Sequence, residues 1–453
     1  MVLKMAGVGG VFPNFEDHLL DKKKISEYFK GNFHEVYYPI NYTSKLGPWQ
    51  YHIPADVKNF IDPTTLTWNG RIKVEEIGNP SAEVINSSNN NDIKCSVVNN
   101  FIHSAISKIS YQINDFQMGD SASLSYSYRA YIDNHLSFSD DSKQQSLKYH
   151  GYAKDTYDKF DDVTKERVNN GNAGFKERAD LFCTKDYFHF SVKLRIDIAN
   201  IDQFIQPGTQ LRFEIERNSN EFALLSDKAN DGKYSFDIKD TSLEFDKLIP
   251  TESYWSHFQS SIAKSPNIYT YDHVKIQTFN YPSGINDLSI QSMFHTDKLP
   301  SYFIFALITD EAYMGAIEKN PFKFQPFDMK EFYLLINGFS FPTQPIKLDF
   351  DTNDYHHVYV NDFLDRLKLK NSNESNGITD KDWRHSNFFL ICDLTVDKCA
   401  NFHEHQSQPG TINLKMITKT ALSQTTRLIV YSSSRERFSI NYQNGEVTST
   451  LTM

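Results

Sequence analysis

Cys392, Cys399, His403 and His405 spell Cys-x6-Cys-x3-His-x-His, and thiolate and imidazole are ligands that zinc favours. Zinc sites use tighter cysteine pairs, however, and Cys392 alternates into the apolar face of its own strand, so it reads as a small buried hydrophobe. Asp349-Phe-Asp-Thr-Asn-Asp354 opens like a calcium loop, but an EF-hand would need Gly where Asp354 stands and a bidentate Glu where Val360 stands. It reads as a solvated turn. Gly338-Phe-Ser-Phe-Pro342 offers a serine, but lacks the second Gly of a nucleophile elbow and sits in a hairpin rather than a strand-to-helix turn. Neither a Walker A loop nor a Gly-x-Gly-x-x-Gly entering a helix occurs. Carboxylate pairs for glycoside hydrolysis stay open, because their separation is a tertiary quantity. Outward aromatics such as Tyr187 and Tyr442 suit a sugar-binding face or a subunit interface equally. The residues name no catalytic, cofactor-binding or metal site.

The elements that would position such groups follow from length and composition. A chain of 453 residues is too long for one ordinary core and suits two domains of about 200 residues each. Its 35 Phe and 25 Tyr, against 19 Gly and 16 Pro, exclude collagen-like and disordered classes and fit a β-rich globular protein. Lys and Arg number 47 against 57 acidic residues, a net charge of −10, and no basic block is longer than Lys22-Lys-Lys24. A protein that neutralises many phosphates needs a basic face, so direct nucleic-acid binding is not expected. Four dispersed cysteines are too few for a disulfide framework, and reduced thiols are expected. The N-terminus lacks an apolar signal region and no run of 18 apolar residues occurs, so a soluble, non-exported protein without membrane partners is expected. The sequons at Asn41, Asn86 and Asn373 then read as Asn-rich loop chemistry.

The clearest elements lie between Tyr302 and Pro342. Tyr302 to Ile308 is apolar on both alternating faces and predicts a strand buried between two layers. Glu331 to Ile336 runs into Asn337-Gly338 and Phe339-Ser-Phe341, a hairpin signal, because a type I′ turn needs φ > 0 at both central residues. Pro342 and Pro345 are expected to stop the returning strand. Tyr187 to Ile198 alternates strictly, with Phe188, Phe190, Val192, Leu194, Ile196 and Ile198 inward and Tyr187, His189, Lys193, Arg195 and Asp197 outward. Tyr126 to Leu136 predicts a helix, with Tyr128, Ile132 and Leu136 on one face and an Arg129/Asp133 pair on the surface. Ser139 to Arg178 reads as a charged loop. Pro250 to Pro266, with Trp255, Phe258 and Ile262 on one helical face, reads as the bridge between halves of similar strand count. Residues 1–35 read as an arm with one short helix carrying Leu19, Leu20, Ile25, Tyr28 and Phe29, or as a helix covering the open end of the first sandwich.

Ala306-Leu-Ile-Thr-Asp-Glu-Ala-Tyr-Met-Gly315, Lys319-Asn-Pro-Phe-Lys-Phe-Gln325, Ile336-Asn-Gly338 and Pro342-Thr-Gln-Pro345, in that order and spacing, resemble the second jelly roll of the major capsid proteins of Polinton/Maverick elements and adintoviruses. The segment Tyr128-Arg-Ala-Tyr-Ile132 is similar to the family's long connection in the first roll, and Gly208 to Ser226 to the end of that roll. Ile378-Thr-Asp-Lys-Asp-Trp383 and Phe389 to Val396 continue in family order. The resemblance spans roughly Tyr37 to Val447 and departs at the arm and at Asn86 to Asp92. It implies an all-β double jelly roll with a few helices in long connections: an arm over 1–35, a first roll over 36–249 and a second over 250–453. It implies a hexon-like structural subunit without catalysis or cofactor. Such a subunit forms pseudo-hexameric homotrimeric capsomers, meets neighbouring capsomers and a minor (penton) capsid protein, and resides in an icosahedral virion assembled inside the host cell. The long connections Ser139 to Phe182 and Asp351 to Ser386 would supply the outer surface. Met5-Ala-Gly-Val-Gly9 fits the site read by adenovirus-type maturation proteases, with cleavage expected between Val8 and Gly9. A two-domain β-sandwich lectin or glycan-active enzyme is the alternative, since jelly rolls host those too.

Overall fold

The computed structural model describes residues 28–41, 47–80, 84, 93–118, 122–163, 171–262, 265–296, 298–398 and 409–449. In the first half the strands are β1 (Phe29–Tyr37), β2 (Trp49–Ile53), β3 (Phe60–Glu76), β4 (Cys95–Val97), β5 (Ile106–Ile113), β6 (Phe116–Gln117), β7 (Phe188–Lys193), β8 (Leu211–Arg217), β9 (Leu224–Ser226) and β10 (Tyr234–Pro250). In the second half they are β11 (Asn267–Tyr281), β12 (Ile290–Thr296), β13 (Tyr302–Thr309), β14 (Met329–Ile336), β15 (Phe339–Lys347), β16 (Phe389–Asp393), β17 (Gly410–Thr418), β18 (Thr426–Ile440) and β19 (Val447–Ser449).

The sheets of the first half run β1-β10-β3-β7 and β2-β8-β5-β6, and those of the second run β11-β18-β13-β16 and β12-β17-β14-β15. With the small β4–β9 pair and the appended β19 set aside, both halves have the same order. Counted along the chain, one sheet is 1-8-3-6 and its partner 2-7-4-5. Two antiparallel four-stranded sheets in this order are a jelly roll. The chain is therefore an all-β double jelly roll, as expected.

Each roll closes around aromatics that reach across its two sheets. In the first, Trp68 Nε1 donates to Tyr51 Oη at 3.1 Å, and Tyr51 Oη donates to Thr241 Oγ1 at 2.8 Å, so the buried polar tips are paired. In the second, Phe303 and Phe305 of β13 meet Phe294 and Phe332 of the opposite sheet at ring distances of 5.3 and 5.2 Å. The whole core run Tyr302–Ile308 is buried. Ile304 pairs in register with Tyr431, whose hydroxyl donates to Asp133 of the helix Ser125–Ser137 at 3.0 Å. The second face of β13 is thus covered by that central helix, which is why both faces are apolar. The predicted hairpin forms between β14 and β15, with Asn337 at φ 50° and Gly338 at φ 87°.

Several expectations fail locally. Strand β15 runs through Pro342 and Pro345 to Lys347. It is an edge strand, where a missing N–H costs no ladder bond on the open side. The strand predicted to reach Ile198 ends at Lys193, and Arg195 and Asp197, expected outside, are buried. The Arg129/Asp133 pair is not on the surface: Arg129 is 8% and Asp133 7% exposed, on a helix whose residues Ser125 to Leu136 are all buried. Periodicity predicts one wet face only when one side of a helix meets water, and here no side does. The stretch read as a charged loop contains the helices Asp140–Gln144 and Ala173–Phe182. Phe29, placed on the arm's helix, opens β1, so residues 29–35 belong to the first sheet. Leu19, Leu20, Ile25 and the Val8–Gly9 bond lie outside the described residues.

Candidate functional site at the seam between the two rolls

The groups singled out for chemistry do not converge. Cys392 is buried in β16, and burial pushes its thiol above the ordinary range; Cys399, His403 and His405 lie outside the described residues. Among the described residues no group of three or more His, Cys, Asp or Glu is arranged to hold a metal. In the Asp349 turn, Asp349 Oδ1 accepts from the Asp351 amide at 3.0 Å and Lys419 supplies the cation by pairing with Asp351. Ser340 Oγ donates to the Pro342 carbonyl at 2.9 Å. Tyr187 donates to Asp237 Oδ2 at 2.8 Å, and Tyr442 packs against Phe258 at 6.4 Å, so neither lies as a bare platform.

The chemistry the sequence hid lies where the rolls meet, organised by the central helix. Arg129 Nη1 pairs with Asp197 Oδ1 at 2.6 Å, and its Nε lies 3.7 Å from Asp133 one turn on. Asp197 Oδ2 also meets His273 Nδ1 of β11 at 2.9 Å. Burial raises the Asp197 carboxyl, but the Arg129 charge and the His273 contact outweigh it and hold the group below the usual carboxylate range. Arg195 donates through Nε to Asn134 Oδ1 at 2.8 Å and lies over the Phe138 ring at 5.0 Å. Arg129 and Asp197 are paired as opposite charges, and breaking such a buried pair by removing one partner costs several kcal/mol.

A second part of the seam is aromatic. Tyr131 stacks on Phe322 at 4.0 Å with 4° between the planes, and Tyr128 stacks on Tyr313 at 5.3 Å and 3°. Two segments quoted above for the resemblance, Tyr128 to Ile132 and Lys319 to Gln325, therefore touch. Asn320 donates through Nδ2 toward Asp155 Oδ2 at 3.4 Å, and its side-chain oxygen accepts from the Phe322 amide at 3.0 Å. Asp155 itself pairs with the fully buried Arg178 at 2.8 Å. Gly174 is required here, since a Cβ would meet Lys154 O at 2.7 Å and Asp155 Oδ1 at 2.8 Å. Further out, Lys143 donates to the last-turn carbonyl of His135 at 2.6 Å and to the Asn376 carbonyl, and burial pulls its pKa down to about 7. Lys154 pairs with Asp382 at 3.0 Å. The two long connections are thereby fastened together.

The third part is a strand edge. β11 ends its sheet, and an open edge presents unpaired backbone groups. Gln203 donates to the Ile268 carbonyl and accepts from the Thr270 amide, both at 3.2 Å, while Asp197 Oδ1 accepts from the Val274 amide at 3.3 Å. The chain between β7 and β8 thus closes the edge of the second roll. This arrangement can position and lock; it holds no reactive constellation. Arg129, Arg195 and Asp197 read from the sequence as facing water because a charge in a periodic run gives no sign of which layer will cover it, and the neutral amides Gln203 and Asn320 carry no local signal of their tertiary partners.

No family model matches the chain. A Caenorhabditis elegans protein, the uncharacterized protein F54H12.2, is 21% identical over 315 residues, which cover 69% of this chain and 72% of that one. Solved structures resemble it over nearly the whole length. A chain of the Sputnik virophage structure from cryo-EM superposes with a TM-score of 0.57 at 12% identity, covering 94% of this chain and 89% of that one. The Faustovirus major capsid protein gives 0.57 at 8% identity, with 90% of each chain covered. The mavirus major capsid protein gives 0.51 at 10%, covering 93% of this chain and 90% of that one. At these identities the likeness establishes the fold.

Proposed function

We propose that the chain is a major capsid protein, the structural subunit of an icosahedral virus-like particle, with no catalytic role. The observation that carries this reading is the locked pair of rolls: two jelly rolls of identical strand order, fixed side by side by a buried ionic and aromatic seam. Three such subunits around a threefold axis present six similar barrels, an outline that tiles a lattice with one gene product. Similarity in fold to the Faustovirus and mavirus capsid proteins supports the assignment. The quoted motifs favour a Polinton/Maverick- or adintovirus-like lineage. The same reading divides the chain into an arm, a first roll to residue 249 and a second from residue 250. It gives the homotrimer neighbouring capsomers and a penton protein as partners, and the virion as its place. A heterologous, ring-closing interface is required, and an obligate one should bury upwards of about 2,000 Å² per contact. Light scattering together with negative-stain microscopy tests this. A trimer of pseudo-hexagonal outline is expected, whereas a stable monomer or dimer across concentration and salt overturns the proposal.

A further inference from the structure

The two rolls carry a similar short segment, Leu-x-Ile/Val-Asp, after their sixth strand. β7 ends at Lys193 and is followed by Leu194-Arg-Ile-Asp197; β16 ends at Asp393 and is followed by Leu394-Thr-Val-Asp397. In the first roll this turn is buried, Ile196 at 3% and Asp197 at 1% exposure, because it docks on the edge of β11, the first strand of the second roll. In the second roll the corresponding apolar residue, Val396, is 96% exposed. A branched apolar residue that is buried in the first roll, as Ile196, and exposed at the matching position of the second, as Val396, marks a surface suited to a partner.

The receiving edge has a counterpart too. β1 is the first strand of the first roll, as β11 is of the second, and each ends its sheet. Among the described residues, no strand or side chain bonds the outer backbone edge of β1. That edge carries Phe33 and Val36 and leads to Tyr38 and Ile40, all exposed, with Ile40 at 71%. A nine-residue edge with exposed apolar side chains is an aggregation template unless something covers it.

We infer that the turn Leu394–Asp397 of one subunit docks on the β1 edge of a second copy of this chain, repeating between subunits the contact that Leu194–Asp197 makes with β11 within one. The inference rests on the ring-forming assembly proposed above. Head-to-tail closure requires every subunit to meet the next by the same heterologous contact, and the shared strand order of the two rolls lets that contact follow the one made inside the chain. The contact from the first roll to the second lies within the chain, and the exposed Val396 and the β1 edge are the two halves of the contact from the second roll to the next first roll. Val396 takes the place of Ile196 beside Val36, and β1 gains cover for its open edge.

The test uses the full-length protein with Val36 replaced by photoreactive p-benzoylphenylalanine, an exposed position at which folding should be unaffected. Irradiation of the trimer is expected to give chain-to-chain adducts whose linked peptide contains Val396. A second variant, Val396→Asp, is expected to weaken the trimer at least about tenfold while the protein stays soluble with an unchanged far-ultraviolet spectrum, since an unpaired carboxylate would be buried in the contact. Adducts that map to another segment, or a Val396→Asp trimer as stable as the parent, would overturn the docking while leaving the trimer standing. A wild-type protein that is monomeric by light scattering before any irradiation would overturn both.

Discussion

β1 and β11 hold the same place, the first strand on the outer edge of a four-stranded sheet, yet among the described residues only the edge of β11 is covered. Gln203 and Asp197 bond its backbone, and the central helix packs beside it. Among the described residues β1 meets its own partner β10 on one side and no strand on the other. The difference separates two jobs that one architecture performs. The edge of β11 belongs to the stability of the folded chain, whereas in the proposed assembly the edge of β1 serves association. Substitutions at the first should therefore change melting, and substitutions at the second should change assembly.

The largest effect is expected at Asp197. Asp197→Ala strips the buried Arg129 of its 2.6 Å partner and His273 of its carboxylate, and should destabilise the fold by about 3–5 kcal/mol in urea or thermal unfolding. A change below about 1 kcal/mol would show that Arg129 is satisfied by Asp133 alone. Gln203→Ala removes two hydrogen bonds to the β11 edge and should cost about 1–2 kcal/mol while leaving assembly intact. Loss of the trimer without loss of stability would blur the comparison. The smallest effect is expected on the side of β1 that faces β10, where His34 sits between Glu244 at 3.0 Å and Asp246 at 2.9 Å. Hydrogen bonds to Glu244 and Asp246 raise its pKa. The stabilisation is then fully present below the unfolded value of about 6.5 and is lost as pH rises through the raised folded value. With His34 exposed, it should amount to less than about 1 kcal/mol. The stability difference between wild type and His34→Ala should accordingly shrink from pH 5.5 to 8.5, and a constant difference would show that the ring is held for its shape alone.

Much of this was legible residue by residue. The alternation of β8 and β17, the doubly apolar run of β13 and the Asn337-Gly338 turn each follow from local rules, because strand period and turn φ are properties of a few neighbouring residues. The prolines of β15 misled because their cost depends on whether a strand is central or at an edge. Arg129, Arg195 and Asp197 misled for a related reason. A charged residue between apolar ones predicts a wet face, and only the arrival of β11, more than 70 residues later, turned that face into the seam.

The sequence by itself determined that the chain is β-rich and long enough for two cores, where its sharpest hairpin turns, and that no familiar catalytic loop is present, because composition, period and turn chemistry act over short distances. Only the tertiary structure decided that both halves share one strand order, that Tyr131 meets Phe322, and that one turn after a sixth strand is buried while its twin is bare. Those facts depend on which distant segment covers which edge, and burial is a property of the partner as much as of the residue.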